Sequence, residues 1–336
     1  MRKLTLLMVM AVTVGGAIAH VGAAETPRLR IARQYGIGYL QMMVMEHEHL
    51  IEKEARARGV PAVSFTWTTF ADGTGATDAI LSGNLDIAAG GLGSFVTLWG
   101  RTVNGLGVKG IAALNSMPML LTSRDPRIRN IRDLGERDRI AVAGVKVSSQ
   151  ATTLQYAATQ AFGPAAWNRL DHLTVNMGHP TGMQLMLQRG GDIALHFASP
   201  PYQYQELANP GVHTVLDSYD VWGGPQTFAL VWTTSRFRSD NPELYCAFVA
   251  ALKDATERVR RDKRAAAAIY IEMSGDRRMS VDDLAAMLAK PELRFTLAPE
   301  NVLRFALFKA DIGMSSVRPA SWKEMFFPEI HSLPGS

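Results

Sequence analysis

One pattern recurs along this chain: a short apolar run, a loop rich in glycine, serine or tyrosine, then residues spaced for one face of a helix. That alternation leaves few folds open, because strands joined through helices pair in parallel and bury both faces of a sheet. The segment 139–163 shows it most fully. Ile140, Ala141, Val142 and Ala143 form a short apolar run, and Gly144 begins a turn. From Thr152 the apolar positions Leu154, Ala157, Ala158, Ala161 and Phe162 follow helical spacing. Ser148 and Ser149 stand where that helix begins. A hydroxyl there caps the helix, and the unpaired backbone N–H groups beside it suit an anion or polar oxygen at the carboxyl end of a sheet. At this stage capping alone and ligand contact are both open.

The same order runs through the rest of the chain. A strand over 29–32 precedes a loop holding Tyr35 and Tyr39, then a helix over 40–58 and a strand over 63–69. A helix over 74–82, a strand over 85–89, a flexible run over 90–94, a helix over 95–101 and a strand over 108–114 follow. After the strand and helix of 139–163 come strands at 173–176, 192–197 and 212–216, with helices at 181–189 and 202–207 between them. A strand over 228–233 leads back toward the first unit, and from Pro242 the chain is mostly helical. Two βα units joined by more than one crossing enclose a groove, and such interfaces are where small ligands bind.

Composition narrows the setting. Residues 1–24 begin with Arg2 and Lys3, continue as an apolar run and end in Gly22, Ala23 and Ala24, the design of a cleaved export signal. Cys246 is the single cysteine, so no internal disulfide forms and packed cores carry the stability. The net charge is +4, and the signal holds two of those positive charges; this excludes the strong basic stripe that nucleic acid requires. Glu46, His47, Glu48 and His49 look metal-rich, but on a helix residues two apart point away from each other, so no metal or cofactor is expected.

The order of these pieces resembles the periplasmic substrate-binding proteins of ABC importers, in the nitrate, sulfonate, taurine and pyrimidine-precursor family. The residues that carry the resemblance are the loop from Tyr35 to Tyr39, the run Ser82-Gly83-Asn84-Leu85-Asp86-Ile87-Ala88, the run Asn130-Ile131-Arg132-Asp133-Leu134-Gly135, and Gly190-Gly191-Asp192-Ile193-Ala194. The resemblance implies an α/β, bilobed periplasmic-binding-protein fold of type II, with two parallel-type mixed sheets flanked by helices and a ligand cleft between the lobes. It implies a first lobe over 25–118, a second over 119–227, and a return to the first over 228–336. It also maps ligand loops onto the stretches around Tyr35, Gly91, Ser148 and His196.

The candidate ligand-binding residues are Tyr35, Tyr39, Trp67, Gly91, Gly93, Ser94, Ser148, Ser149, Gln150, Asn176, His196 and Trp222. The tyrosines suit stacking on a flat solute with their hydroxyls paired. Gly91 and Gly93 let backbone approach a ligand, or only turn the chain. Ser94 suits a helix cap. Trp67 is core or cleft floor, and Trp222 is hinge or cleft wall. His196 contacts an anion or is a hydrogen-bonded structural histidine. His179 and Asn176 rank lower.

The expected function is solute capture by a monomeric periplasmic protein that delivers a small polar or anionic organic solute to a membrane permease. Two rivals share the scaffold: an enzyme related to pyrimidine-precursor synthesis, and a solute-sensing module for a receptor. No nucleophile motif or convincing metal triad supports the enzyme.

Overall fold

The structure, a computed structural model, describes residues 28–60 and 62–336. The export signal expected over 1–24 lies outside the described residues. The first strands are β1 (Arg28–Gln34), β2 (Ser64–Phe70), β3 (Ile87–Gly91) and β4 (Val108–Ser116). The chain then crosses to a second sheet made of β5 (Leu120–Ser123), β6 (Ile140–Val142), β7 (Thr174–Asn176), β8 (Leu195–Ala198) and β9 (His213–Asp217). It returns with β10 (Thr227–Thr234) and β11 (Arg294–Phe295). The sheet orders are β11-β4-β10-β3-β1-β2 and β7-β6-β8-β5-β9.

Both sheets are mixed. β1 runs parallel to β2 and β3, while β10 is antiparallel to its neighbours β3 and β4. In the second sheet β6 is parallel to β7 and β8, and β5 runs against β8 and β9. β5 and β10, the strands that follow the two crossings, run against their neighbours, and β11 is antiparallel to β4. β10 is buried along almost its whole length, as a central strand covered on both faces must be. The late helix Pro242–Arg261 packs on Leu40–His47 and Leu50–Ala57, coating the first sheet.

Two expected elements differ. The helix expected over 40–58 is two helices, because His49 takes a left-handed backbone (φ 53°) between them. The flexible run expected over 90–94 is absent: β3 passes directly into the helix Leu92–Thr102. Its glycines serve close approach instead. A Cβ on Gly90 would lie 2.5 Å from the Trp232 ring.

One buried cation sits where the sheets meet. Lys309, on the helix Val302–Asp311, has no exposed surface. Its Nζ donates to the Gly93 carbonyl at 3.3 Å and lies 3.5 Å from Thr152 Oγ1. Burial, with Arg101 nearby, lowers its pKa from the ordinary 10.5 to about 7. The unfolded chain therefore binds more protons between these two values, and stability rises with pH across that window. Below it the ammonium is buried at full cost. Lys309→Met should accordingly stabilise the protein at about pH 6 by on the order of 1–3 kcal/mol, with the advantage shrinking as pH rises toward 10. Urea unfolding of both proteins at the two pH values measures this; a pH-independent difference would assign the effect to packing.

Candidate ligand site between the sheets

Parallel strands put their carboxyl ends on one edge, so the helices that follow begin on that edge. In the first sheet these are Leu40–His47 after β1, Gly73–Leu81 after β2 and Leu92–Thr102 after β3. In the second they are Ser149–Phe162 after β6 and His179–Leu187 after β7. The starts of all five helices line one cavity through Tyr39, Gly73, Gly91, Ser148 and His179 with their immediate neighbours. Each points the positive end of a helix dipole at the cavity, while several first-turn N–H groups already have partners: Leu40 donates to the Ile37 carbonyl, and Thr74 and Gly75 donate to Asp72.

The lobes approach backbone to backbone here. A Cβ on Gly93 would lie 2.4 Å from the Val147 carbonyl oxygen and 2.5 Å from the Ser148 carbonyl carbon. The Gly93 N–H donates to Ser149 Oγ at 3.1 Å, so a second-lobe serine caps a first-lobe helix. Ser148 caps its own helix by accepting from the Ala151 N–H at 3.1 Å. The cleft is shut around a cavity of about 10 Å³, one water site. Gln34 and Tyr35 also border an adjoining groove of about 310 Å³, flanked by Tyr202, Tyr270, Met273 and Arg278.

The fold is shared with known structures. No family model matches the sequence, and no curated protein matches it significantly. Among solved structures, the alkanesulfonate-binding protein SsuA from Xanthomonas axonopodis pv. citri, bound to MOPS, superposes with a TM-score of 0.66 at 16% identity, over 86% of this chain and 93% of its own. The periplasmic nitrate-binding protein NrtA from Synechocystis PCC 6803 gives 0.67 at 12% identity, over 90% and 84%. A protein from Bordetella bronchiseptica RB50 gives 0.70 at 16% identity, over 90% and 95%. This is the periplasmic-binding-protein fold.

Within that fold the sequence-derived candidates separate. Tyr35, Tyr39, Gly91, Ser94, Ser148, Ser149 and Gln150 line the cavity. Ser94 is the third residue of its helix and accepts no capping bond there, since the helix starts at Leu92. Five candidates lie elsewhere. Gly93 is spent on the lobe contact. Trp67 is half-buried on β2 with the Arg33 guanidinium 5.9 Å from its ring centre. Asn176 is exposed at the lip, where its Nδ2 donates to Asp72 Oδ2 of the first lobe at 3.1 Å. Trp222 does not line the cavity: it is fully buried, stacked on Tyr156 at 4.3 Å, with its Nε1–H donating to Thr153 Oγ1. His196 is fully buried behind the cavity and bonded to His179 and Glu206.

The cavity wall also holds His179, which ranked lower, and Gln34, Ala71, Gly73, Ala143 and Phe228, which were passed over. Some signals were present. Asp72 before Gly73 is a helix cap that accepts from the Thr74 and Gly75 N–H groups, and Pro180 sits at the second position of its helix. Phe228 arrives from β10, far along the chain, and carries no local signal.

The site is polar without a fixed cation: among the described residues no lysine or arginine lines the cavity. Burial raises the Tyr39 phenol well above the usual range, so it stays a donor. Burial, helped by His196, holds the His179 imidazole well below its ordinary value, so it is neutral. Gln34 Nε2 is buried with no hydrogen-bond partner among the described residues, a donor available to a ligand.

Gly93→Ala should hold the lobes apart, since neither colliding backbone atom has a rotamer to move. Small-angle scattering should show a larger radius of gyration with circular dichroism unchanged. An identical scattering curve would remove the Gly93 contact as a limit on closure.

Proposed function

We propose that this chain is the solute-binding component of an ABC importer, taking a small polar or anionic organic solute between its lobes. The observation that carries the reading is the convergence of five helix starts, from both sheets, on one cavity that holds no cationic side chain. Summed N–H groups and dipole ends bind an oxyanion without a salt bridge. The adjoining groove with Tyr35, Tyr202 and Tyr270 suits an organic body attached to that head group. Structural neighbours described as sulfonate- and nitrate-binding proteins support the same class of solute.

In this reading the protein acts as a monomer in the periplasm after loss of residues 1–24, and the closed form is what the permease recognises. It performs no reaction. Neither Ser148 nor Ser149 is hydrogen-bonded to a histidine among the described residues, so neither hydroxyl has a base.

Calorimetric titration with nitrate, ethanesulfonate, taurine, benzoate and uracil tests this. One class should bind saturably, with no product on prolonged incubation. Ser149→Ala removes both a lobe contact and a ligand donor, and should weaken the bound probe about tenfold or more. Failure of the whole panel to bind, or steady turnover of any member, would overturn solute capture.

A further inference from the structure

Behind the cavity wall a chain of buried side chains runs into the second lobe. Gln150 Nε2 lies 3.2 Å from His179 Nε2, and His179 Nδ1 lies 3.0 Å from His196 Nε2. His196 Nδ1 is 2.5 Å from Glu206 Oε1, and Thr122 Oγ1 donates to Glu206 Oε2 at 2.6 Å. His196 and Glu206 have no exposed surface, and His179 and Gln150 have almost none. β5, β8 and three helices supply these groups. Tyr202 also packs on them, its ring stacked on His179 at 5.5 Å, with Tyr270, Asp276, Arg278 and Tyr35 around its hydroxyl. Among the described residues no lysine or arginine pairs with Glu206, His196 or His179.

Each link carries one proton, so the links are ordered. With Glu206 a carboxylate and His196 neutral, His196 donates through Nδ1 and accepts at Nε2 from His179 Nδ1–H. His179 Nε2 is then an acceptor and takes a proton donated by the Gln150 amide. The Gln150 carbonyl oxygen, which has no protein donor among the described residues, is left for the cavity. One proton added to the Glu206–His196 pair reverses every link. His196 now donates through Nε2, His179 accepts at Nδ1 and donates through Nε2, and Gln150 turns its oxygen to His179 and its NH₂ to the cavity. One proton is taken from solvent, and no bond between heavy atoms forms or breaks.

Resting on the solute-capture reading, we propose that Gln150 reads the hydrogen-bond polarity of the solute, and that His179, His196 and Glu206 are positioning residues that set its amide by their proton count. The protonated chain presents a donor and selects an oxyanion; the unprotonated chain presents an acceptor and selects a solute bearing N–H or O–H. A buried carboxylate without a cation is costly, and a second anion in the adjacent cavity adds to that cost. Oxyanion capture therefore draws one proton into the Glu206–His196 pair.

Ethanesulfonate and nitrate are the probes, because both stay ionised across the range and bring no proton of their own. Calorimetry of the full protein in buffers of different ionisation enthalpy, from about pH 5 to about pH 9, should show uptake approaching one proton per anion on the alkaline side. Affinity there should fall up to about tenfold per pH unit. Glu206→Gln has no carboxylate to take up the proton, so any anion binding it retains should proceed with no proton uptake and no pH slope. Imidazole ¹⁵N spectra of the unliganded wild type should show the His179 proton moving from Nδ1 to Nε2 as pH falls. Binding without proton uptake in the wild type, or an unchanged slope in Glu206→Gln, overturns the proposal. If neither anion binds, solute capture of this class fails, and the spectra still decide the relay: one His179 tautomer at every pH overturns it. Should Glu206→Gln not fold, the wild-type calorimetry and spectra decide alone.

Discussion

Two helix starts from opposite sheets meet here with almost nothing between them. The first turn of Leu92–Thr102 presses on the backbone before Ser149–Phe162, and only a residue without a Cβ fits at Gly93. Both helices point their positive ends at the same place, so an electronegative atom must lie between them. Ser149 Oγ serves that purpose for the Gly93 N–H. The remaining starts, at Tyr39, Gly73 and His179, bring their positive ends to the same cavity. The facing dipoles are tolerable when something negative sits in the middle.

That arrangement explains why the cavity wall is polar but uncharged. A buried arginine or lysine would bind an anion strongly, yet would be an unpaired charge whenever the site emptied. Backbone donors, serine hydroxyls and glutamine amides avoid that cost. Lys309 is the exception at the lobe junction. It lies behind the Gly93 carbonyl, outside the cavity lining, and burial drives it toward its neutral form.

Much of the fold was readable because its signals are local. The strand and helix around Ser148 were legible from apolar spacing and hydroxyl placement, and both serines do cap helices, Ser149 that of the other lobe. The run from Gly90 to Gly93 was misread as flexible. Glycine marks either freedom or close approach, and only the Trp232 ring and the Val147 carbonyl, distant in sequence, show which applies. Trp222 and Trp67 were ambiguous for the same reason: an aromatic residue on a strand or short helix looks alike whether it faces a core or a cleft. His179 was underrated because its importance comes from His196 and Gln150, neither adjacent in the chain.

The sequence by itself determined the alternation of strands, turns and helices, and with it an α/β chain whose helix starts gather on strand ends. Period, cap and turn chemistry act over a few residues, so they can be read one segment at a time. Tertiary structure alone decided which of those starts share a cavity, which glycines are contacts, and how Gln150, His179, His196 and Glu206 join into one chain. Those outcomes depend on burial and on bonds between residues brought together by two lobe crossings, and no local pattern encodes the distance between segments that meet only after folding.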